Sequence, residues 1–240
     1  MSDLYIRLPY FLKYLLFKLG FAKKSFKKIQ NLNFKVDNKD LNKIILFTNL
    51  FQIAPKDGVI VECGVARGFT LFLLYKIFKR KIYAFDSFEG FPDEFSEHDS
   101  KNISEIIKIH KWHYKIMSVD LVKQNLIKNN ISAEEIDQNI IFKKGFFPHS
   151  FKDFNEEISF LHLDVDLYKS YKDCLDFFFF KLKKGGIVSF DEYHDENHTY
   201  KKEKGYDWKG SKVAIDEFVK KNNLELLDHR DTGFKYIIKN

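Results

Sequence analysis

Four acidic side chains, Glu62, Asp86, Asp164 and Asp191, each end a short apolar run that reads as a β-strand. Carboxylates placed this way can accept hydrogen bonds from hydroxyls and amines, ligate a hard cation or take up a proton. The first belongs to Val61-Glu-Cys-Gly-Val-Ala-Arg-Gly68, which has the form acidic-x-Gly-x-x-x-Gly. Gly64 and Gly68 lack the Cβ that holds a backbone away from a ligand. The spacing is not the GxGxxG dinucleotide fingerprint, which sets a pyrophosphate on a helix N-terminus. It suits a ligand with no phosphate. S-adenosylmethionine is such a ligand, with an amino-acid group, a sulfonium, a ribose and an adenine. Glu62 can hold the cationic amino-acid end, directly or through water. Asp86, ending the next strand, can accept both ribose hydroxyls by the logic of dinucleotide sites. The plainer role for Asp86 is capping a turn.

The elements that must position these groups alternate. A helix at about 40–53 leads to the turn Pro55-Lys-Asp-Gly58. Strands are expected at 59–62, 82–85, 140–142, 158–163 and 187–190, and helices at 70–79, 171–182 and 212–221. Lys184-Gly-Gly186 reads as the turn into the fifth strand, and 224–227 with 234–238 as a closing hairpin. Alternation of this kind implies a parallel sheet with helices on both faces. A final antiparallel pair is how the seven-stranded, Rossmann-like class I methyltransferase sheet ends. The expected organisation is α/β: an N-terminal helical extension over 1–55, a methyltransferase domain over 56–240, and polar lid insertions at 93–120 and 194–209. In open α/β sheets ligands bind at the carboxyl ends of the strands.

The stretch Tyr83-Ala-Phe-Asp-Ser-Phe-Glu-Gly-Phe-Pro92 resembles the macrocin O-methyltransferase family, enzymes that methylate sugar hydroxyls of macrolides and related glycosylated molecules. Lys144-Gly-Phe-Phe-Pro148, Leu163-Asp-Val-Asp-Leu-Tyr168, Lys184-Gly-Gly-Ile-Val-Ser-Phe-Asp-Glu-Tyr193, Trp208-Lys-Gly and Ala214-Ile-Asp-Glu-Phe218 follow in the family's order. The resemblance covers about residues 57–240. It implies S-adenosylmethionine, with Ser87 and Gly145 joining Glu62, Gly64, Gly68 and Asp86 as cofactor contacts, and usually Mg²⁺. It also implies a metal site built from Asp164, Asp191 and Glu192. The family commonly shows Asp-Asp-Tyr where this chain has Asp191-Glu192-Tyr193, so Glu192 reaches one methylene further. Elementary chemistry agrees with a hard cation: Mg²⁺ takes oxygen ligands and keeps several waters, so a few carboxylates and substrate hydroxyls suffice. Without a cation, gathered carboxylates repel one another and shift their pKa values.

Methyl transfer from sulfonium to oxygen needs a positioned acceptor and removal of its proton. Asp166, two residues past Asp164, is the candidate base and matches the second Asp of the family's Asp-x-Asp-x-Tyr pattern. His194 is the rival, since an unperturbed imidazole titrates near neutrality. His110, His113, His149 and His198 have no spacing that assigns them a role. Trp112, Tyr200, Tyr206 and Trp208 can stack on sugar faces or simply pack. The expected function is O-methyl transfer to a sugar hydroxyl of a glycan, nucleotide-sugar or glycosylated product. A metal-dependent methyltransferase of small phenols or catechols is the alternative. A nucleotide-dependent oxidoreductase lacks its third glycine, and a non-enzymatic docking domain would not need the acidic strand ends. A nucleic-acid methyltransferase lacks a base-pocket motif.

A net charge of +6 raises nucleic acid and anionic membranes as partners. The lysines are scattered and no nucleic-acid recognition motif accompanies them, so a solvated basic surface is expected. Cys63 and Cys174 lack CxxC spacing and are flanked by apolar residues, which suits buried thiols in a reducing, cytoplasmic setting. Asp3 and Arg7 argue against a signal peptide, and no apolar run is long enough for a membrane span. Residues 4–28 read as amphipathic helices covered in a homo-oligomer, a dimer by expectation, with peripheral membrane contact as the alternative.

Overall fold

The computed structural model describes residues 38–101, 105, 107, 116–193 and 209–240. The segment 4–28 with its expected dimer contact, much of the first expected lid, and His194 with nearly all of the second lid lie outside the described residues.

Seven strands form one sheet in the order β3-β2-β1-β4-β5-β7-β6. They are β1 (Val59–Cys63), β2 (Ile82–Asp86), β3 (Ile140–Lys144), β4 (Ile158–Leu163), β5 (Leu182–Phe190), β6 (Leu227–Asp228) and β7 (Lys235–Ile238). The first five pair in parallel, and β7 lies antiparallel between β5 and β6. Every residue of β1 and β4 is buried, as expected of central parallel strands covered on both faces. The helices are α1 (Asn38–Ile53), α2 (Phe69–Phe78), α3 (Val119–Lys128), α4 (Ala133–Asn139), α5 (Tyr168–Phe178) and α6 (Lys209–Lys221).

Alternation along the strands sends Ile60, Phe160 and Ile187 to one face, where Leu41, Ile44 and Phe47 of α1 and Leu74 of α2 cover them. Val61, Leu161 and Val188 face the other way, toward α5 and α6. That second core is built on phenylalanine. Phe178 lies 4.6 Å from Phe151 and 5.0 Å from Phe85, ring centre to ring centre, at crossed angles. Burying each such ring contributes about 1.5–3 kcal/mol. The chain's unusual Phe content is shared between the two cores.

The last helix begins at Lys209 instead of 212 and the first hairpin strand is Leu227–Asp228 instead of 224–227; two further differences have a visible physical reason. Helix α5 begins at Tyr168 instead of Tyr171, because Asp99 accepts a hydrogen bond from the Tyr168 amide (2.9 Å). Its N-cap residue, Leu167, offers no side-chain cap, so a distant aspartate does the capping. It ends at Phe178, and a 3-10 turn over Phe179–Lys181 follows. The Lys184-Gly-Gly turn does not precede β5 but is folded into it. Ile158 pairs with Leu182 and Phe160 with Ile187, so the extra residues of β5 bulge out.

The register sets up the site. Phe85, Cys63, Leu163 and Phe190 are neighbours across β2, β1, β4 and β5. The residues that follow them, Asp86, Gly64, Asp164 and Asp191, therefore emerge along one edge. The strand order reverses between β1 and β4, which is where an open α/β sheet leaves a ligand crevice.

Candidate active site

A cleft of about 1070 Å³ opens at that edge, lined by Gly64, Asp86, Ser87, Gly145, Asp164 and Asp166 among others. Gly64 adopts φ 85°, and a Cβ there would come 1.8 Å from the Asp164 carbonyl oxygen, so only glycine lets the β1 loop pass β4. Asp86 organises the loop. Its Oδ2 accepts hydrogen bonds from the amides of Val65 (2.7 Å) and Ala66 (3.0 Å), and its Oδ1 from the amide of Phe88 (2.7 Å). The capping role weighed for Asp86 is thus present, while the residue still lines the cleft. Ser87 donates to the Gly90 carbonyl (2.6 Å) and accepts from the Glu89 amide, holding the turn after β2. The Gly145 amide donates to the Asp86 carbonyl (2.9 Å). Gly68 caps α2 at φ 84°, with the Val122 side chain where a Cβ would go.

Glu62 lies behind this loop, fully buried, and neither carboxyl oxygen has a hydrogen-bond partner among the described residues. Burial, reinforced by the charge of Asp164, pushes its pKa well above the usual carboxylate range. Glu62 is not among the residues that line the cleft; a cationic group brought close to it would favour the ionised carboxylate that burial disfavours.

The second half of the site is an acidic cluster. Asp164, Asp166 and Glu192 each offer a carboxyl oxygen, all within 4.8 Å of one another. Asp164 and Asp166 line the cleft, and Glu192 is buried behind them. The Tyr171 hydroxyl, which also contacts the Leu163 carbonyl (3.0 Å), makes a short hydrogen bond to Glu192. Burial, followed by the charges of Asp164, Asp191 and Asp166, pushes the Glu192 carboxyl well up. A hard cation would relieve that repulsion, and the all-carboxylate donor set fits Mg²⁺. Asp166 stands at φ 60°, with the Leu167 amide bonded back to the Val165 carbonyl (2.5 Å). Such a left-handed γ-turn at a non-glycine residue is strained by about 1–3 kcal/mol, a cost that structures retain mostly at functional positions.

Asp191, expected beside Asp164 as a ligand, is fully buried and ion-paired. The Lys43 ammonium lies 2.7 Å from Asp191 Oδ1 and 2.9 Å from Asp164 Oδ2. It also donates to Thr70 Oγ1 (3.1 Å). Burial pulls this lysine's pKa down, but the two aspartates more than offset it and hold the ammonium above its ordinary value. His162, buried on β4 beneath them, sits 2.9 Å from Ser189 Oγ through its Nδ1 and belongs to a second group of potential ligands with Asp164 and Asp191.

Residues 46–223 match the family model described as macrocin-O-methyltransferase (TylF). The chain belongs to the macrocin O-methyltransferase family. A curated relative, the 8-demethyl-8-(2,3-dimethoxy-alpha-L-rhamnosyl)-tetracenomycin-C 4'-O-methyltransferase of Streptomyces olivaceus, is 27% identical over 158 residues, 60% of this chain and 58% of that protein. The match therefore spans less than two thirds of that relative's length. Among solved structures, the O-methyltransferase NovP superposes over 100% of both chains with a TM-score of 0.66 at 20% identity. CalS11, a TDP-rhamnose 3'-O-methyltransferase of calicheamicin biosynthesis, covers 95% of this chain and 91% of its own with a TM-score of 0.53 at 18% identity. An O-methyltransferase from Bacillus cereus in complex with SAH covers 100% of both chains with a TM-score of 0.52 at 12% identity. These likenesses establish the class I methyltransferase fold.

For this macrocin O-methyltransferase family member, sequence reasoning missed Lys43, Tyr171 and His162. Tyr171 carried a faint signal, a polar-tipped residue in the apolar stripe of α5. Lys43 carried none, being one of 40 basic residues.

Proposed function

We propose that this protein transfers a methyl group from S-adenosylmethionine to a sugar hydroxyl with the help of Mg²⁺. The observation that carries the reading is the convergence of Asp164, Asp166 and Glu192 at a cleft whose other wall is the Gly64 loop and Asp86. The sugar acceptors named for the Streptomyces olivaceus relative and for CalS11 support the acceptor class, and the SAH complex of the Bacillus cereus protein supports the cofactor. Buried free thiols at Cys63 and Cys174 support a reducing compartment, in keeping with a cytoplasmic enzyme.

S-adenosylmethionine would supply an already activated methyl group, leaving the protein to orient the acceptor and remove its proton. Asp86 and Ser87 would face the cofactor's ribose, Gly64 and Gly145 would let backbone approach it, and Glu62, buried behind the loop, would balance its ammonium group; Gly68, expected as a contact, packs on Val122 instead. Asp164 and Glu192 would hold Mg²⁺, which supplies positive charge that orients an acceptor hydroxyl and lowers its pKa. Tyr171 fixes the Glu192 carboxyl, and Lys43 balances Asp191. Asp166, on the cleft wall, would take the hydroxyl proton onto a carboxylate oxygen. Placement of reacting groups can supply about 7–11 kcal/mol of the barrier, and the base a further factor of about 10²–10⁴.

The test is methyl transfer from labelled S-adenosylmethionine to a panel of rhamnosylated natural products, nucleotide-sugars and catechol. Transfer to a sugar hydroxyl is expected. Transfer to catechol alone would replace the sugar reading with the phenol one.

A further inference from the structure

We propose that Asp99 is a positioning residue for Asp166: from the wall of the cleft its carboxylate pins the first residue of α5, and with it the strained turn that aims the base. The proposal rests on the reading of Asp166 as the base and adds the residue through which the cleft wall controls it.

Asp166 does not hold its own conformation. Its φ of 60°, with the Leu167 amide turned back to the Val165 carbonyl, is a strained arrangement that persists only where its surroundings fix it. On the upstream side Val165 is buried in the second core. On the downstream side the hold comes from the segment after β2. Leu167 is buried against Ile107, and Phe91 and Phe95 pack on them. The Tyr168 amide is one of those that a helix start leaves without a partner inside the helix. It donates to Asp99 Oδ1 (2.9 Å), and the Tyr168 ring lies 4.3 Å from that of His98, centre to centre. Both residues that follow Asp166 are thus gripped by that segment.

Asp99 is itself fixed. Its Oδ2 accepts from the Ser96 amide (2.9 Å), and its own amide donates to the Ser96 carbonyl (3.0 Å), closing a turn. Gly210, in the first turn of α6, stands so close that a Cβ there would come 2.1 Å from Asp99 Oδ1. That oxygen therefore sits between the starts of α5 and α6, where the positive ends of both helix dipoles favour a carboxylate. Asp99 also lines the cleft with Phe91, Phe95 and Ser96. The wall that shapes the acceptor's space and the grip on the base are one piece of chain.

The experiment is a double-mutant cycle of Asp99→Ala with Asp166→Asn in the full chain. It is read by turnover on the best acceptor of the panel above and by hydrogen–deuterium exchange over residues 165–170. Asp99→Ala should lower kcat by about tenfold to 10²-fold, with the acceptor KM and the S-adenosylmethionine Kd kept within about threefold. In an Asp166→Asn background the same change should cost less than about twofold, because a residue that acts through the base has nothing left to position. Exchange at Leu167 and Tyr168 should quicken by about tenfold or more. Asp99→Asn, whose side-chain oxygen still accepts from the Tyr168 amide, should restore most of the turnover. Gly210→Ala retains the carboxylate but crowds it off the amide, so it should reproduce the loss and serves if Asp99→Ala does not fold. A raised acceptor KM with kcat unchanged would overturn the proposal and make Asp99 a binding residue. An equal loss of kcat in both backgrounds would overturn it too. If Asp166→Asn is itself fully active, the reading of Asp166 as the base fails. Exchange then judges Asp99 alone: quickening confined to 165–170 supports its grip on the turn, and unchanged exchange refutes it.

Discussion

Gly64 lies against Asp164 so closely that the two residues share one space: a Cβ on the glycine would come 1.8 Å from the aspartate's carbonyl oxygen. The contact joins the loop after β1 to the acidic end of β4. Gly64→Ala must force them apart and also adopt a left-handed backbone. Destabilisation of roughly 2–4 kcal/mol is expected from strain and overpacking together. Urea unfolding measures it, and a loss below about 1 kcal/mol would mean the loop relaxes freely.

Asp86→Ala removes the acceptor for three backbone amides, those of Val65, Ala66 and Phe88. The protein should stay folded, with a stability loss of about 1–3 kcal/mol. S-adenosylmethionine affinity by calorimetry should fall about tenfold or more. Unchanged affinity would reduce Asp86 to a turn cap.

Asp166→Asn keeps the shape of the side chain and loses its basicity. Turnover should fall by about 10²–10⁴, with cofactor and Mn²⁺ affinities preserved. Full activity in this variant would move the base elsewhere, and His194→Gln is then the next variant to assay.

Thorough chelation should stop methyl transfer while leaving S-adenosylmethionine binding intact, because Gly64 and Asp86 lie at the ends of β1 and β2 and the acidic cluster follows β4 and β5. Asp164→Asn should behave like chelation. Activity that survives a strong chelator removes Mg²⁺ from the reaction.

His229 gives a pH dependence away from the cleft. Its Nδ1 lies 2.9 Å from Thr232 Oγ1 and its Nε2 lies 3.2 Å from the Asn49 amide nitrogen on α1, an arrangement the neutral ring satisfies. Burial lowers its pKa. A depressed folded value means the unfolded chain binds the proton more readily, so this stability is present above about pH 6.5 and is lost as pH falls toward the folded pKa. Denaturant midpoints at pH 7.5 and pH 5 should differ more for the wild type than for His229→Gln. Equal slopes would assign the loss to other groups.

The scaffold was largely legible because strand ends and helix faces are local patterns. Glu62, Asp86, Asp164 and Asp191 each close an apolar run, and parallel alternation alone brings such ends to one edge. What escaped the sequence depends on contacts between distant residues. Asp99 caps a helix sixty-nine positions downstream. The Lys184-Gly-Gly turn looks like a strand boundary until its pairing with β4 shows a bulge. Lys43 gains its meaning only from Asp164 and Asp191, and nothing in its neighbours on α1 distinguishes it from a surface lysine.

The Lys43–Asp164 bond also imposes an order on synthesis. Its two ends are 121 positions apart. At about 5–20 residues per second the ribosome takes roughly 6–24 s to deliver the aspartate after the lysine. Throughout that interval α1 carries an ammonium on the face that must later be buried, and of its three acceptors Thr70 alone has been made. The helix can therefore dock with its charge fully paired only once β4 and β5 have been made, and until then the nascent chain stays open to chaperones.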